Sequence, residues 1–269
     1  MKNRNDKIIS TILGSLALPI VLLCILILLT FLFSAYESVT FNLEILRDPE
    51  YQRMFLNILK NTFLITVISL VISSSFAYFA AFNISFIQEG KTRSLLLSLI
   101  RILSSFPSVL LGLLVASVFV HTSNPGSFIL YGSLVLAILI GPFLCLNFCN
   151  DMLSVPRNLL VSSNALGMKS FQQLRYIIHP YIRRKLISSI LLAFCRCIGE
   201  ATAMFIICNA IFMAGGNDQF TFASYILDSF SEGFPGDSTW QLVVLITSIF
   251  TVVYYLLYFL QQKIRRDEL

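Results

Sequence analysis

The sequence predicts an all-α membrane protein with six transmembrane helices and a cytoplasmic helix-turn-helix between the fourth and fifth. Hydrophobic residues make up 57% of the 269 residues and charged residues only 12%, which exceeds the apolar content of a soluble domain. A helix crosses about 30 Å of hydrocarbon in roughly 20 apolar residues, and six runs of that length are present. The basic residues, in addition, are concentrated in alternate connections between these runs.

The predicted spans occupy residues 11–33, 61–82, 95–120, 129–149, 187–213 and 239–261. They form one transmembrane domain over residues 11–262, with a core at 61–261 that contains a cytoplasmic loop at 150–185. A short amino-terminal segment, 1–10, and a tail, 263–269, flank this domain. Although the first run follows a basic segment, as in a signal peptide, its length favours a retained span.

The distribution of lysine and arginine predicts the orientation, because these residues accumulate in short cytoplasmic loops. The amino terminus, the second and fourth connections and the tail are basic, whereas the third connection has no basic residue and the fifth has only acidic ones. Arg47, Arg53 and Lys60 in the first connection are the exceptions. We therefore expect both termini in the cytoplasm. This sidedness accounts for the net charge of +5 without a nucleic-acid partner.

The remaining polar motifs do not predict an enzyme or a metal centre. His121 and His179 fall on opposite sides of the membrane, the latter as a polar loop residue. Cys195 and Cys197 are two residues apart, so a helix points them to nearly opposite sides. Residues 85–92, SFIQEGKT, resemble a phosphate-binding loop but join two membrane helices instead of a strand and a helix. No cofactor or metal is expected in this chain, and any ATP is hydrolysed by another one.

The fourth connection, residues 150–185, predicts two short amphipathic helices on the cytoplasmic face. Pro156 suits the start of the first helix, and Gly167 suits a left-handed stop. In the second, Ser170 and Gln173 predict a capping box and Pro180 a helix end. Its apolar stripe comprises Phe171, Leu174 and Ile178. From periodicity alone, a hairpin lying on the lipid surface is an alternative.

The sequences ALG, residues 165–167, and IIHP, residues 177–180, resemble the cytoplasmic loop of ATP-binding-cassette importer permeases. The pattern of that family is E-A-A, three residues, Gly, nine residues, then I-x-L-P. Val161 stands in place of its glutamate and His179 in place of its leucine. The resemblance implies that the loop docks into a groove on a separate ATPase subunit. The residues carried over to this coupling role are Ala165, Leu166, Gly167, Ile177 and Pro180.

The fifth span contains two charged residues within CRCIGEATAMF, residues 195–205. Arg196 lies about 15 Å into the span, where a charge costs on the order of 3 kcal/mol unless it faces a partner or a polar cavity. Glu200 follows four residues later, which predicts one helical face and mutual contact. Either the two charges only neutralise one another, or Arg196 lines an anion path and Glu200 moderates its charge.

The segment RCIGEATAMF, residues 196–205, resembles the R-[AS]-[ILM]-G-E-T segment of oxyanion-importer permeases, with matches at Arg196, Gly199 and Glu200. FPSVLLGLL, residues 106–114, resembles the Pro-Ser-x-x-x-Gly stretch of phosphate permeases. The resemblance extends over residues 63–212 and fits a phosphate importer best. Molybdate, tungstate and sulfate permeases share the R-x-x-G-E segment, so these anions remain alternatives.

Two further residues of the third span are candidates for the translocation path. Arg101 lies near the cytoplasmic end, where it either extends to the interface or lines the inner exit. Pro107 is predicted to kink the helix.

The resemblance implies a permease subunit in the cytoplasmic membrane of a bacterium. Its partners would be a second permease or a second copy of this chain, two ATPase subunits, an extracytoplasmic phosphate-binding protein and membrane lipid. A membrane enzyme and an ion-driven carrier that uses no ATP are the alternatives. Such carriers commonly contain paired broken helices, which we do not expect from this sequence.

Overall fold

A computed structural model describes residues 49–87, 90–119, 127–213 and 220–231, together with residues 252, 253, 255, 256 and 259. Every regular element within these ranges is helical. The predicted first span, residues 11–33, lies outside the described residues, and of the sixth only a few helical positions are described.

The described helices are α1 (Pro49–Phe82), α2 (Gly90–Ser104), α3 (Ser108–Phe119), α4 (Ser127–Leu153), α5 (Arg157–Ala165), α6 (Ser170–Gln173), α7 (His179–Ile198), α8 (Thr202–Met213) and α9 (Phe222–Ser231). Two π-helical segments, Asn83–Ile87 and Leu174–Ile178, follow α1 and α6.

Within the described ranges, two helical stretches are long and apolar enough to cross a membrane unbroken. They are Gln52–Phe86, with 35 residues, and Phe128–Leu153, with 26 residues. The first begins well before residue 61, the predicted start of the second span. Its additional turns carry Ile58, which is buried against Phe222 and Tyr225 of α9. Tertiary packing therefore extends this helix beyond the apolar run that predicts it.

The predicted third span, 95–120, is broken. Helices α2 and α3 meet at an angle of 80° across residues 105–107. Pro107 lies in this break, and since proline has no backbone N–H it cannot continue the hydrogen-bond ladder of α2. The N–H of Ser105 still donates to the carbonyl of Arg101 at 3.2 Å, and the N–H of Leu110 begins the next ladder on the carbonyl of Pro107 at 3.1 Å.

The predicted fifth span, 187–213, is also broken, with a bend of 50° between Ser170–Ile198 and Thr202–Ala210. Gly199, a residue of low helix propensity, follows the last residue of α7. The ladder resumes where the N–H of Phe205 donates to the carbonyl of Ala201 at 2.9 Å. The expectation that the chain lacks paired broken helices is therefore wrong.

Helix α4 lies at the centre of the described fold, in contact with α1, α2, α3, α7 and α8. The largest fully buried side chains of the core include Ile65, Leu136, Ile140, Leu144, Phe148, Ile178, Ile182 and Met204. Both broken helices thus pack against the same unbroken helix.

Helices α3 and α8 approach each other closely at Gly112. A Cβ atom added there would lie 3.0 Å from Cα of Ala203 and 3.2 Å from its carbonyl oxygen. Because both neighbouring atoms belong to the backbone, a side chain could be accommodated only if the helices moved apart.

We expect Gly112→Val to destabilise the protein, since overpacking of a close helix contact typically costs about 1–3 kcal/mol. The purified complex should lose at least about 3 °C in thermal midpoint. Gly141→Ala is the matched control, because a Cβ at Gly141 would meet no atom within 4 Å. Equal midpoints for the two variants would contradict the tight α3–α8 contact.

Candidate functional site

Arg196 lies in the last turn of α7 with an exposed side chain. Its guanidinium carbon is 4.7 Å from the ring centroid of Phe143 on α4. This distance is within the range of a cation–π contact, which orients the guanidinium without using its N–H donors. The central helix therefore positions the basic residue of the predicted fifth span.

Glu200 does not lie on the same helical face as Arg196, because α7 ends at Ile198. Its carboxylate oxygen Oε1 accepts a hydrogen bond of 3.1 Å from the hydroxyl of Thr202. Within the described part of the chain, no ion pair joins Arg196 to Glu200. The expectation of one face and mutual contact is thus not met in this conformation.

A hydroxyl contact joins the two helix breaks. Oγ of Ser108, the first residue of α3, lies 2.7 Å from Oγ1 of Thr202, the first residue of α8. Two helix amino termini therefore meet here, and each carries the positive end of a helix dipole. The carboxyl ends of α2 and α7 lie at the same two breaks and carry the opposite dipole ends, so the helix dipoles alone do not set the sign of the field. Arg196 and Glu200 are the charged side chains on either side of the second bend.

Arg101 and Pro107 occupy the first break without joining this cluster. Arg101 lies in the last turn of α2, and its side chain is exposed. Among the described residues, no contact links Arg101 to Arg196 or Glu200.

The first helix of the predicted helix-turn-helix, α5, ends in the left-handed turn that the sequence predicts. Gly167 has a φ of +72°. Its N–H donates to the carbonyl of Asn164 at 2.9 Å, and the N–H of Met168 donates to the carbonyl of Ser163 at 3.1 Å. These two bonds form a Schellman motif. A Cβ at Gly167 would meet no atom within 4 Å, so glycine is required by the backbone conformation and not by space.

The second helix of the predicted helix-turn-helix begins differently from the prediction. Its capping bond runs from the backbone N–H of Lys169 to Oε1 of Gln172 at 2.9 Å, one residue before the predicted pair of Ser170 and Gln173. The side chain of Gln173 is buried instead and donates to Oδ1 of Asn164 on α5. This amide contact fixes the two short helices to each other.

Pro180 does not end the second helix of the predicted helix-turn-helix. The chain stays helical from Ser170 to Ile198, through the π-helical segment Leu174–Ile178. Pro180 is the second residue of α7, and proline is tolerated in the first turn of an α-helix. The helix-turn-helix is therefore continuous with the helix that carries Arg196.

The predicted apolar stripe divides between the core and the surface. Leu174 and Ile178 are buried, whereas Phe171 is 64% exposed. Leu166, in the turn, is 81% exposed. Of the other coupling candidates, Ala165 and Pro180 are exposed and Ile177 is half-buried. The turn thus presents apolar side chains outward, as a surface that a partner protein can cover.

His179 and the cysteines take part in packing. His179 begins α7 and is not a loop residue; its Nδ1 lies 3.1 Å from the hydroxyl of Tyr78. Cys149 and Cys197 are buried. In the ranges that the structure describes, no group of three or more His, Cys, Asp or Glu side chains could hold a metal ion.

Ser108, Thr202 and Phe143 belong to the site but carry no sequence-based prediction of a role. Ser108 and Thr202 do occur in the two segments that suggested a transporter, so their position was a usable signal. The sequence contains no such signal for Phe143, because no periodicity connects it with Arg196, which lies on another helix.

The fold is similar to those of solved importer structures. Over 99% of both chains it resembles a bacterial ABC transporter involved in the import of the acidic polysaccharide alginate, with a TM-score of 0.67 and 13% identity. It also resembles the MetNI methionine ABC transporter in an inward-facing conformation, with a TM-score of 0.56 and 16% identity over 80% of this chain and 97% of that one. At these identities the likeness concerns the fold alone.

Two proteins of Bacillus subtilis (strain 168) are similar in sequence. The probable ABC transporter permease protein YqgH is 28% identical over 163 residues, which cover 58% of this chain and 52% of YqgH. The probable ABC transporter permease protein YqgI is 28% identical over 123 residues, or 46% of this chain and 42% of YqgI. The matches thus span about half the length of these relatives.

Residues 80–266 match the family described as binding-protein-dependent transport system inner membrane component. This stretch includes both helix breaks, the helix-turn-helix of α5 and α6 and the segment around Arg196. The chain therefore belongs to the family of binding-protein-dependent transport system inner membrane components.

Proposed function

We propose that the chain is the permease subunit of an ATP-driven importer and forms part of the translocation path for inorganic phosphate. One observation carries this proposal: Arg196, with an exposed side chain, lies in the last helical turn before the second break, and this break meets the first one through the contact between Ser108 and Thr202. Family membership supports the transport role.

Arg196 favours an anion as the transported solute. A charge this deep in an apolar helix is unfavourable in lipid, so an exposed guanidinium must face a polar path or a partner chain. Arginine stays charged at all relevant pH values, and its forked donors match the oxygens of a tetrahedral oxyanion. The first residues of α3 and α8 also offer backbone N–H groups at the two breaks, as the half-helices of transporters with discontinuous helices do.

Phosphate is the preferred oxyanion because of residues 106–114 and 196–205. These two segments carry the resemblance to phosphate permeases, and they meet in space through the Ser108–Thr202 contact. Molybdate, tungstate and sulfate remain candidates, since they are tetrahedral oxyanions too. Glu200 would limit the affinity of Arg196 so that the bound anion can leave.

The cytoplasmic helix-turn-helix is proposed to dock on a separate ATPase subunit. Its turn exposes Leu166 and Phe171, which an apolar groove can cover. Movement of this turn would be transmitted along the continuous helix from Ser170 to Ile198, which ends beside Arg196. ATP is accordingly used by the partner, and this chain is not an enzyme.

The remaining partners follow from the exposure of Arg196 and from the family. A second permease, or a second copy of this chain, would cover the exposed face and enclose the path. Two ATPase subunits would lie on the cytoplasmic side and an anion-binding protein on the other. The complex would lie in the cytoplasmic membrane of a bacterium, with both termini of this chain in the cytoplasm.

An ion-driven carrier that uses no ATP is the second candidate, and the two broken helices favour it. A carrier without an ATPase partner would not account for the exposed apolar turn at Leu166. Family membership in binding-protein-dependent systems also favours the importer.

The substrate is tested by uptake of radiolabelled phosphate in cells that express the chain with its partner subunits. We expect uptake that depends on ATP and that is unaffected by about a tenfold excess of sulfate or molybdate. Strong competition by one of these anions would transfer the proposal to that anion. Uptake that persists without the ATPase subunit would favour the carrier.

A further inference from the structure

The hydrogen bonds around Glu200 have a fixed direction. Thr202 has one hydroxyl proton, which it donates to the carboxylate of Glu200. The contact between Ser108 and Thr202 is therefore donated by Ser108. Two linked hydrogen bonds therefore run from Ser108 through Thr202 to the negative charge of Glu200, and each bond polarises and strengthens the next.

These linked hydrogen bonds depend on the bend after α7. Residues 199–201 lie outside α7 and α8, and the two helices meet at 50°. If α7 continued regularly through these residues, Glu200 would lie one turn beyond Arg196, within reach of an ion pair. The carboxylate of Glu200 would then no longer accept the hydrogen bond from the hydroxyl of Thr202. In the bent conformation the guanidinium of Arg196 can bind a ligand. In the straight conformation it would instead form an ion pair with the carboxylate of Glu200.

We propose that Glu200 is a switch that releases the transported anion, and that Ser108 and Thr202 are the positioning residues that hold it away from Arg196. In the bent conformation the anion binds Arg196. When α7 straightens, the carboxylate of Glu200 replaces the anion on the guanidinium. This inference rests on the proposed function, because it takes the ligand of Arg196 to be the transported anion.

The lever for this switch is the continuous helix from the cytoplasmic turn to the bend. Helices α3 and α8 are in backbone contact at Gly112 and Ala203, so they move together. A displacement of α7 is therefore absorbed at residues 199–201, next to Glu200. Binding of the turn by a partner thus controls the position of the carboxylate.

Thr202→Val removes the hydroxyl while keeping the side-chain shape. We expect the KM for phosphate uptake to rise at least about fivefold, because Glu200 then competes with the anion for Arg196, while Vmax changes less than about twofold. Ser108→Ala should act in the same direction, and Thr202→Ser should keep the KM of the native protein. Ser117→Ala is the matched control, since its hydroxyl bonds only within α3, to the carbonyl of Leu114.

The decisive measurement repeats Thr202→Val in a Glu200→Gln background. Without the carboxylate, the valine should change KM by less than about twofold, and Glu200→Gln alone should lower both KM and Vmax. Equal KM values for Thr202→Val and Thr202→Ser, or additive effects with Glu200→Gln, would overturn the switch. An unchanged Vmax in Glu200→Gln would overturn it too. If Arg196→Ala still transports phosphate, the proposed function itself fails.

Discussion

Replacing Arg196 by alanine should reduce phosphate uptake at least about a hundredfold. Two charge-assisted hydrogen bonds to an oxyanion are lost, and each such bond contributes about 1.5–3 kcal/mol. Folding should be preserved, because the side chain is exposed and its described contact is the ring of Phe143. The measurement is radiolabelled uptake at equal amounts of protein in the membrane, with the partner subunits still purifying together with the variant.

Arg196→Lys separates the contribution of the positive charge from that of the forked N–H donors of the guanidinium. Lysine keeps the positive charge but offers a point-like ammonium, so we expect partial uptake with an elevated KM. Arg183→Ala, which removes an exposed arginine from the other end of α7, serves as the control and should keep native uptake. Native uptake by Arg196→Ala would remove this residue from the translocation path.

The general architecture could be predicted from apolar runs and charge alone. Such runs identify helices that cross hydrocarbon, and the family match and the related folds agree with that class. The breaks could not be predicted in the same way, because hydropathy identifies an apolar run but does not determine the direction of the backbone within it. A proline gives a reason for a bend, but the 80° angle depends on packing against α4.

Local chemistry explains which parts of the site were predictable. Gly167 followed from the stop signal of a short helix, since few residues other than glycine adopt a φ of +72°. The capping pair was displaced by one residue because the side chain of Gln173 bonds to Asn164 instead. Arg196 and Glu200 were recognisable as costly charges, but their separation was not, because it depends on where α7 ends. The contact with Phe143 depends on tertiary structure alone.

Replacing Gly167 by valine should uncouple ATP hydrolysis from transport. A β-branched residue is strongly disfavoured at positive φ, and the strain is of the order of 1–3 kcal/mol. Since a Cβ would meet no atom within 4 Å, the strain acts on the Schellman turn and not on the core. The exposed Leu166 would then be presented differently to the ATPase. We expect the anion transported per ATP hydrolysed to fall at least about fivefold, with the complex still assembled.

Gly167→Asn provides the comparison that makes this result specific. Asparagine tolerates the left-handed conformation, so the turn and most of the coupling should survive. Measurements of ATPase rate and uptake on the same reconstituted vesicles then separate two causes. A proportional loss of both rates in the valine variant would indicate weaker assembly. Full coupling in both variants would mean that this turn is not the contact through which the ATPase drives α7.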